Sequence, residues 1–233
     1  GVSVKMNMLL SEFVIGLEID DMGKYMVPLT EKVLRVKMDS AHANLVNKAL
    51  DETTAYLDAC NDDKDYTYSG PHYQFNLRFS DQVFVDDKCS KHTVKDRDED
   101  GNVLSSHVVS VFENTCPHIA MNGKEKLAIE LVKEALPKDH GVGFYVQSSG
   151  GDNTISKRLK QHIEANVPDA KVCILESTVD TIQREQWLDR HVSRGYNVLI
   201  TNPMIVETGL DLLYFNELYF VEPEHRLRTL EQA

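Results

Sequence analysis

Cysteine is scarce in this chain: Cys60, Cys89, Cys116 and Cys173 are the only four among 233 residues, and no two of them form a C-x-x-C pair. Zinc centres draw on two close ligand pairs, so this spacing argues against a metal site. Cys116-Pro117-His118 is the nearest approach to a ligand pair, and it stands alone. Four separate thiols fit a reducing compartment. No apolar run reaches the roughly 18–20 residues that a membrane helix needs. The first ten residues, GVSVKMNMLL, lack the charged start and cleavage pattern of a signal peptide. The expectation is a cytoplasmic protein, or a nuclear or nucleoid one if it is DNA-associated. None of the nine histidines has a serine or cysteine beside it with an orienting carboxylate at motif spacing, so a hydrolase triad has no support. The single tryptophan, Trp187, has helical spacing with Leu188 and Val192 and is expected in the core, not as a base-stacking platform.

Two further absences bear on enzymology. The chain has no G-x-x-x-x-G-K-[ST] phosphate loop: Gly150-Gly151 runs into Asp152-Asn153-Thr154, without an adjacent lysine–hydroxyl pair. Nor does a strand end in an acidic pair of the kind that holds magnesium and positions water.

What the chain does have is acid. Its formal charge is −12, with 12 Lys and Arg against 20 Asp and Glu over residues 1–121 and 13 against 17 over residues 122–233. Neutralising phosphates requires a basic surface, so the overall charge argues against extensive wrapping of nucleic acid while leaving room for a local track. A hydrophobic fraction of 42% suits a folded chain.

Two patterns alternate in the C-terminal half. Short apolar runs at 143–146, 172–175, 198–201 and 218–221 read as buried strands. Amphipathic helices are expected over 124–136, 154–165 and 181–194, with Pro137, Pro168 and Gly195 as their stop signals. Strand–helix alternation of this length implies a parallel sheet covered by helices on both faces. The N-terminal half is less regular. Residues 32–38 are compatible with a strand, Asp39 or Ser40 can cap a helix running to about Ala59, and residues 61–65 form a polar break. The acidic run 96–101 reads as a hairpin tip or solvated turn, and no internal repeat is visible. The division expected is an appendage with strand, helix and acidic loop over 1–121, followed by the parallel-sheet domain over 122–233.

Ligands of open parallel sheets bind at the carboxyl ends of the strands. The segments there are QSSGGD (147–152), EST (176–178), TNP (201–203) and ETGLD (207–211), rich in small, hydroxyl and amide groups suited to phosphate contacts. VGFYVQSSGG (142–151) resembles the helicase motif in which a strand ends in a polar loop that opens a helix. STVDTIQREQWLDRHV (177–192) is similar to the next block of that family. YNVLITNPMIVETGLDLL (196–213) looks like the strand and glycine-containing loop facing both nucleic acid and nucleotide. NELYFVEPEHRLRTLEQA (216–233) resembles the strand and linker that reach Gln-Ala in Swi/Snf-like proteins, and DDMGKYMVPLTEKVLRVKM (20–38) is similar to the segment joining their two lobes. Together these blocks resemble the second, RecA-like motor lobe of a Swi/Snf-like superfamily-two helicase or DNA translocase. Residues 61–121 match no segment of that family.

The resemblance implies an ATP-dependent motor whose first lobe supplies the phosphate loop and acidic box. It also implies an arginine finger just beyond Gln232-Ala233, where the sequence stops. This lobe alone is then expected to be catalytically silent, with ATP and magnesium belonging to the intact motor. Carried over, Glu207, Gly209, Asp211 and Gln232 would face the nucleotide. Gln147, Ser149, Gly150, Thr178, Thr201, Asn202 and Thr208 would track nucleic acid, double-stranded DNA in particular. The missing first lobe would be the main partner. Two other readings remain open at this stage: a non-catalytic protein-interaction module, and half of a nucleotide-sugar transferase.

Overall fold

The computed structural model describes residues 30–84, 89–98, 100, 102–114, 121–147, 154–206 and 210–222. The chain divides into two compact units, Gly1–Arg35 and Val36–Ala233. Residues 30–39 form no helix or strand, so the strand expected over 32–38 is absent. Its alternation is imperfect, and among the described residues no strand is paired with it to take its backbone donors and acceptors. Val33 is 87% exposed.

The second unit opens with two helices and a hairpin. Helix α1 spans Ser40–Asp62, and the Asp39 carboxylate caps it by accepting the His42 N–H at 2.8 Å. It ends at the polar break foreseen in the sequence, where Lys64 takes a left-handed conformation. Helix α2, Ser69–Gln82, was not foreseen. Its Phe75 and Phe79, with Val83 beyond its end, form an i, i+4, i+8 stripe packed against Ala49 of α1 and Phe112. Strands β1 (Cys89–Arg97) and β2 (Val103–Glu113) pair antiparallel around the acidic turn. There the Asp98 carboxylate accepts the backbone N–H groups of Asp100 and Asn102.

Residues 121–222 build the sheet layer. Helix α3 (Gly123–Ala135) starts with a reciprocal capping box between Asn122 and Glu125. Then follow β3 (Gly141–Tyr145), α4 (Ile155–Asn166), β4 (Val172–Leu175), α5 (Arg184–Val192), β5 (Val198–Thr201), the single turn α6 (Pro203–Val206) and β6 (Phe215–Phe220). The four strands are all parallel, in the order β4-β5-β3-β6. Val142, Phe144, Val172, Val198 and Ile200 point to one face and pack with Ile129 and Val132 of α3 and Leu159 and Ile163 of α4. Cys173, Leu175 and Leu199 point to the other, where Leu188 of α5 and Ile205 of α6 cover them. This is the α/β fold expected, a parallel sheet with helices on both faces, consistent with the RecA-like class. Strands β4 and β5 coincide with the runs read from the sequence. Strand β6 starts earlier, because Phe215 is buried and the ladder shifts register beside Gly141. Gly195, with φ +81°, follows α5 as the expected stop.

The helix–hairpin layer and the sheet layer are tied by charge. Lys124, in the first turn of α3, reaches Asp81 at 2.7 Å and the Val221 carbonyl at 2.8 Å. Arg158 of α4 bonds Glu125 through Nε at 2.5 Å and Nη2 at 3.1 Å, and its guanidinium lies 4.5 Å over the Phe84 ring. Among the described residues, no helix is long and apolar enough to cross a membrane.

Candidate functional site

At the carboxyl edge of the sheet the chain leaves β3, β5 and β6 within hydrogen-bonding reach of one another. Val146 and Val221 continue the ladder beyond the strands: Val146 N–H donates to Thr201 O at 2.9 Å and Val221 N–H to Tyr145 O at 3.0 Å. The next residues are joined side chain to backbone. Asn202 donates its amide to Gln147 O at 2.6 Å, and the buried Glu222 carboxylate accepts the Gln147 N–H at 2.7 Å. The Asn202 side-chain oxygen also accepts the Met204 N–H at 2.9 Å, which starts α6. One asparagine thus organises two loops, because an amide carries a donor and an acceptor on the same group.

Of the residues read from the sequence, Gln147 and Asn202 are brought together in this way. Thr201 is 1% exposed, and its hydroxyl donates to Leu175 O at 3.1 Å, a bond between neighbouring strands that leaves it inside the sheet. Thr178 stands exposed in the turn after β4. Asp211 sits apart from the cluster, its carboxylate accepting the Leu213 N–H at 3.0 Å in the turn that leads into β6. Ser149, Gly150, Glu207, Thr208, Gly209 and Gln232 lie outside the described residues.

Two charged residues at this edge were missed. Arg184 donates to Val179 O at 3.2 Å and Ile205 O at 2.9 Å, fastening the turn after β4 to α6. Glu222 follows the apolar run 218–221 directly, and a carboxylate closing such a run is the available signal; the strand itself is not buried as expected, since Leu218 and Phe220 are exposed at the sheet edge. Thr154 caps α4 by accepting the Lys157 N–H at 3.4 Å, and its hydroxyl lies 2.9 Å from that of Ser156.

The electrostatics of the edge are those of neutral dipoles around a few fixed charges. Tyr145 is held neutral, burial pushing its phenol up to about 12, and its ring packs 4.8 Å from that of Phe220. No group of three or more His, Cys, Asp or Glu suited to a metal occurs among the described residues. A cavity of about 590 Å³ opens at the opposite, amino end of the sheet, between Lys133, His140, Asn166, Pro168, Asn197 and Tyr214. In open parallel sheets, ligands collect at the carboxyl edge, where strands hand over to loops and helix N-termini. The described amide and hydroxyl groups of the edge bond one another and the neighbouring backbone, and none of them is paired with a histidine; the hydroxyl–histidine contact Thr67–His92, 2.8 Å, lies in the helix–hairpin layer.

No family model matches the chain, and no curated protein matches it.

Proposed function

We propose that this chain carries the second motor lobe of a Swi/Snf-like ATP-dependent helicase or DNA translocase, contributing nucleic-acid tracking loops and one wall of an ATP site shared with a first lobe. The observation that carries the reading is the meeting of Gln147 and Asn202, from two of the resembling blocks, at one edge of a parallel sheet. Uncharged polar contacts from the loops that this pair organises would read phosphate geometry without requiring a basic surface, which reconciles the role with an acidic chain. The groups that would face ATP are Glu207, Gly209 and Gln232, outside the described residues, and Asp211, whose carboxylate is taken up by a turn. The resemblance assigns the phosphate loop and acidic box, and with them most of the hold on ATP and magnesium, to the first lobe. Phosphoryl transfer depends on positioning and charge stabilisation from both sides of the phosphate, so one lobe gives essentially no rate.

The test is titration of labelled duplex DNA with the 233-residue chain, alongside an ATPase assay. The expected outcome is weak binding, in the roughly 10⁻⁴–10⁻⁶ M range of non-specific contacts, with no hydrolysis. Asn202→Ala should weaken binding several-fold, because it frees two loops at once. ATP turnover by the chain alone, or no affinity for duplex DNA at low salt, would overturn the reading.

A further inference from the structure

The β1–β2 hairpin stands partly clear of the helices that hold it. Paired residues share a face and successive residues alternate, so the register puts Lys91, Thr93 and Lys95 on one face with Ser110, Val108 and Ser106 opposite them. All six are exposed. The other face is anchored at its base, where Ser90, His92 and Phe112 are buried. His92 is gripped from both sides, Nδ1 3.2 Å from the Tyr56 hydroxyl and Nε2 2.8 Å from that of Thr67. The exposed face is therefore presented at a fixed angle.

We propose that this face is a second contact surface for duplex nucleic acid, laid side-on along the phosphates through Lys91 and Lys95. The inference rests on the reading of the sheet edge as a nucleic-acid track. Three observations favour a phosphate backbone. Among the described residues no carboxylate lies within ion-pairing distance of Lys91 or Lys95, although the chain is strongly acidic. At physiological salt, charges are screened beyond roughly 8 Å, so a ligand on this face feels the hairpin's own charges, the two lysines with Asp96 and Glu113 beside them, more than the net charge of the chain. Side chains on alternate residues repeat about every 7 Å along a strand, giving a lysine–hydroxyl–lysine row about 13 Å long. The Thr93 and Ser106 hydroxyls add donors to this row, whereas the Ser110 hydroxyl is taken by the Glu113 carboxylate at 2.9 Å. The acidic turn favours side-on docking over insertion: Asp98 is engaged in its own turn, and Asp96 takes the Ser105 hydroxyl on the anchored face.

The test measures duplex binding by fluorescence anisotropy across 50–200 mM salt, for the unaltered chain and three variants. These are Lys91→Ala/Lys95→Ala, Asn202→Ala, and a control Lys133→Ala/Lys138→Ala at the amino end of the sheet. The lysine pair should lower affinity roughly ten-fold and flatten the slope of log affinity against log salt by about 2, at unchanged circular dichroism. The control should change neither. An unchanged slope in the hairpin variant, with Asn202→Ala still weakening binding, overturns the hairpin proposal and leaves the sheet-edge reading standing. Absence of duplex binding by the unaltered chain overturns both. Lysine-dependent binding of polyglutamate without any effect on duplex DNA also overturns the proposal, by assigning the face to an acidic protein.

Discussion

Cys173 lies on β4 with its thiol under α5, and burial pushes it up to about 12. Cys60 at the end of α1 is raised as well, first by burial. Cys89, at the start of β1, is only half-buried, and Cys116 lies outside the described residues. The thiolate is the reactive form, so at pH 8 the folded protein should take up a thiol reagent at Cys89 well before Cys60 or Cys173. Peptide mapping after a short pulse checks the order, and equal labelling of Cys173 would contradict the packing described. Residue identity in the sequence told where polar groups would cluster but not what they would bond. Gln147 and Asn202 are legible as polar strand-end residues, yet so is Thr201, whose hydroxyl is spent on a bond between neighbouring strands. Side-chain direction at a strand end depends on register, and register involves partners dozens of residues away. Glu222 closes an apolar run, a signal the sequence carries, but its bond to the Gln147 N–H depends on the same register.

Among the elements, the parallel strands and their helices could be read because each carries a periodic apolar signal and a terminator. Helix α2 could not, since it opens on Gly70 and Pro71 and carries only Phe75, Phe79 and Val83 as its stripe, which makes sense only against α1 and Phe112. The strand expected over 32–38 failed in the opposite direction: local alternation was present in part, and no partner strand is. Strand β3 offers a sharp test of packing. A Cβ on Gly141 would come within 2.5 Å of the Tyr214 carbonyl oxygen, a backbone atom with little room to move. Gly141→Ala should cost roughly 1–3 kcal/mol, read as a lower denaturation midpoint at unchanged m-value. A neutral outcome would mean that the approach of β3 to the turn before β6 is looser than described.

For the molecule as a whole, the question is how two layers of different character behave as one. The helix–hairpin layer and the sheet layer share the Lys124–Asp81 pair, whose carboxylate is buried. Lys124→Ala leaves that charge without its cation, a loss of about 1.5–3 kcal/mol by analogy with hydrogen bonds to charged groups. Because the only tryptophan, Trp187, sits on α5, fluorescence reports on the sheet layer alone, whereas far-ultraviolet circular dichroism reports on both. In the variant the two transitions should separate. Coincident curves would mean that other contacts hold the layers together.

The strand order has a consequence for how the chain is made. Strand β3 pairs only with β5 and β6, both of which come later in the sequence. On the ribosome, at roughly 5–20 residues per second, β3 waits several seconds with both edges open, while α1, α2 and the hairpin already have every partner they need. Among the described strands that gain two partners, Gly141–Tyr145 is the one whose second edge stays open longest, and a chaperone attending synthesis would find a sticky segment there.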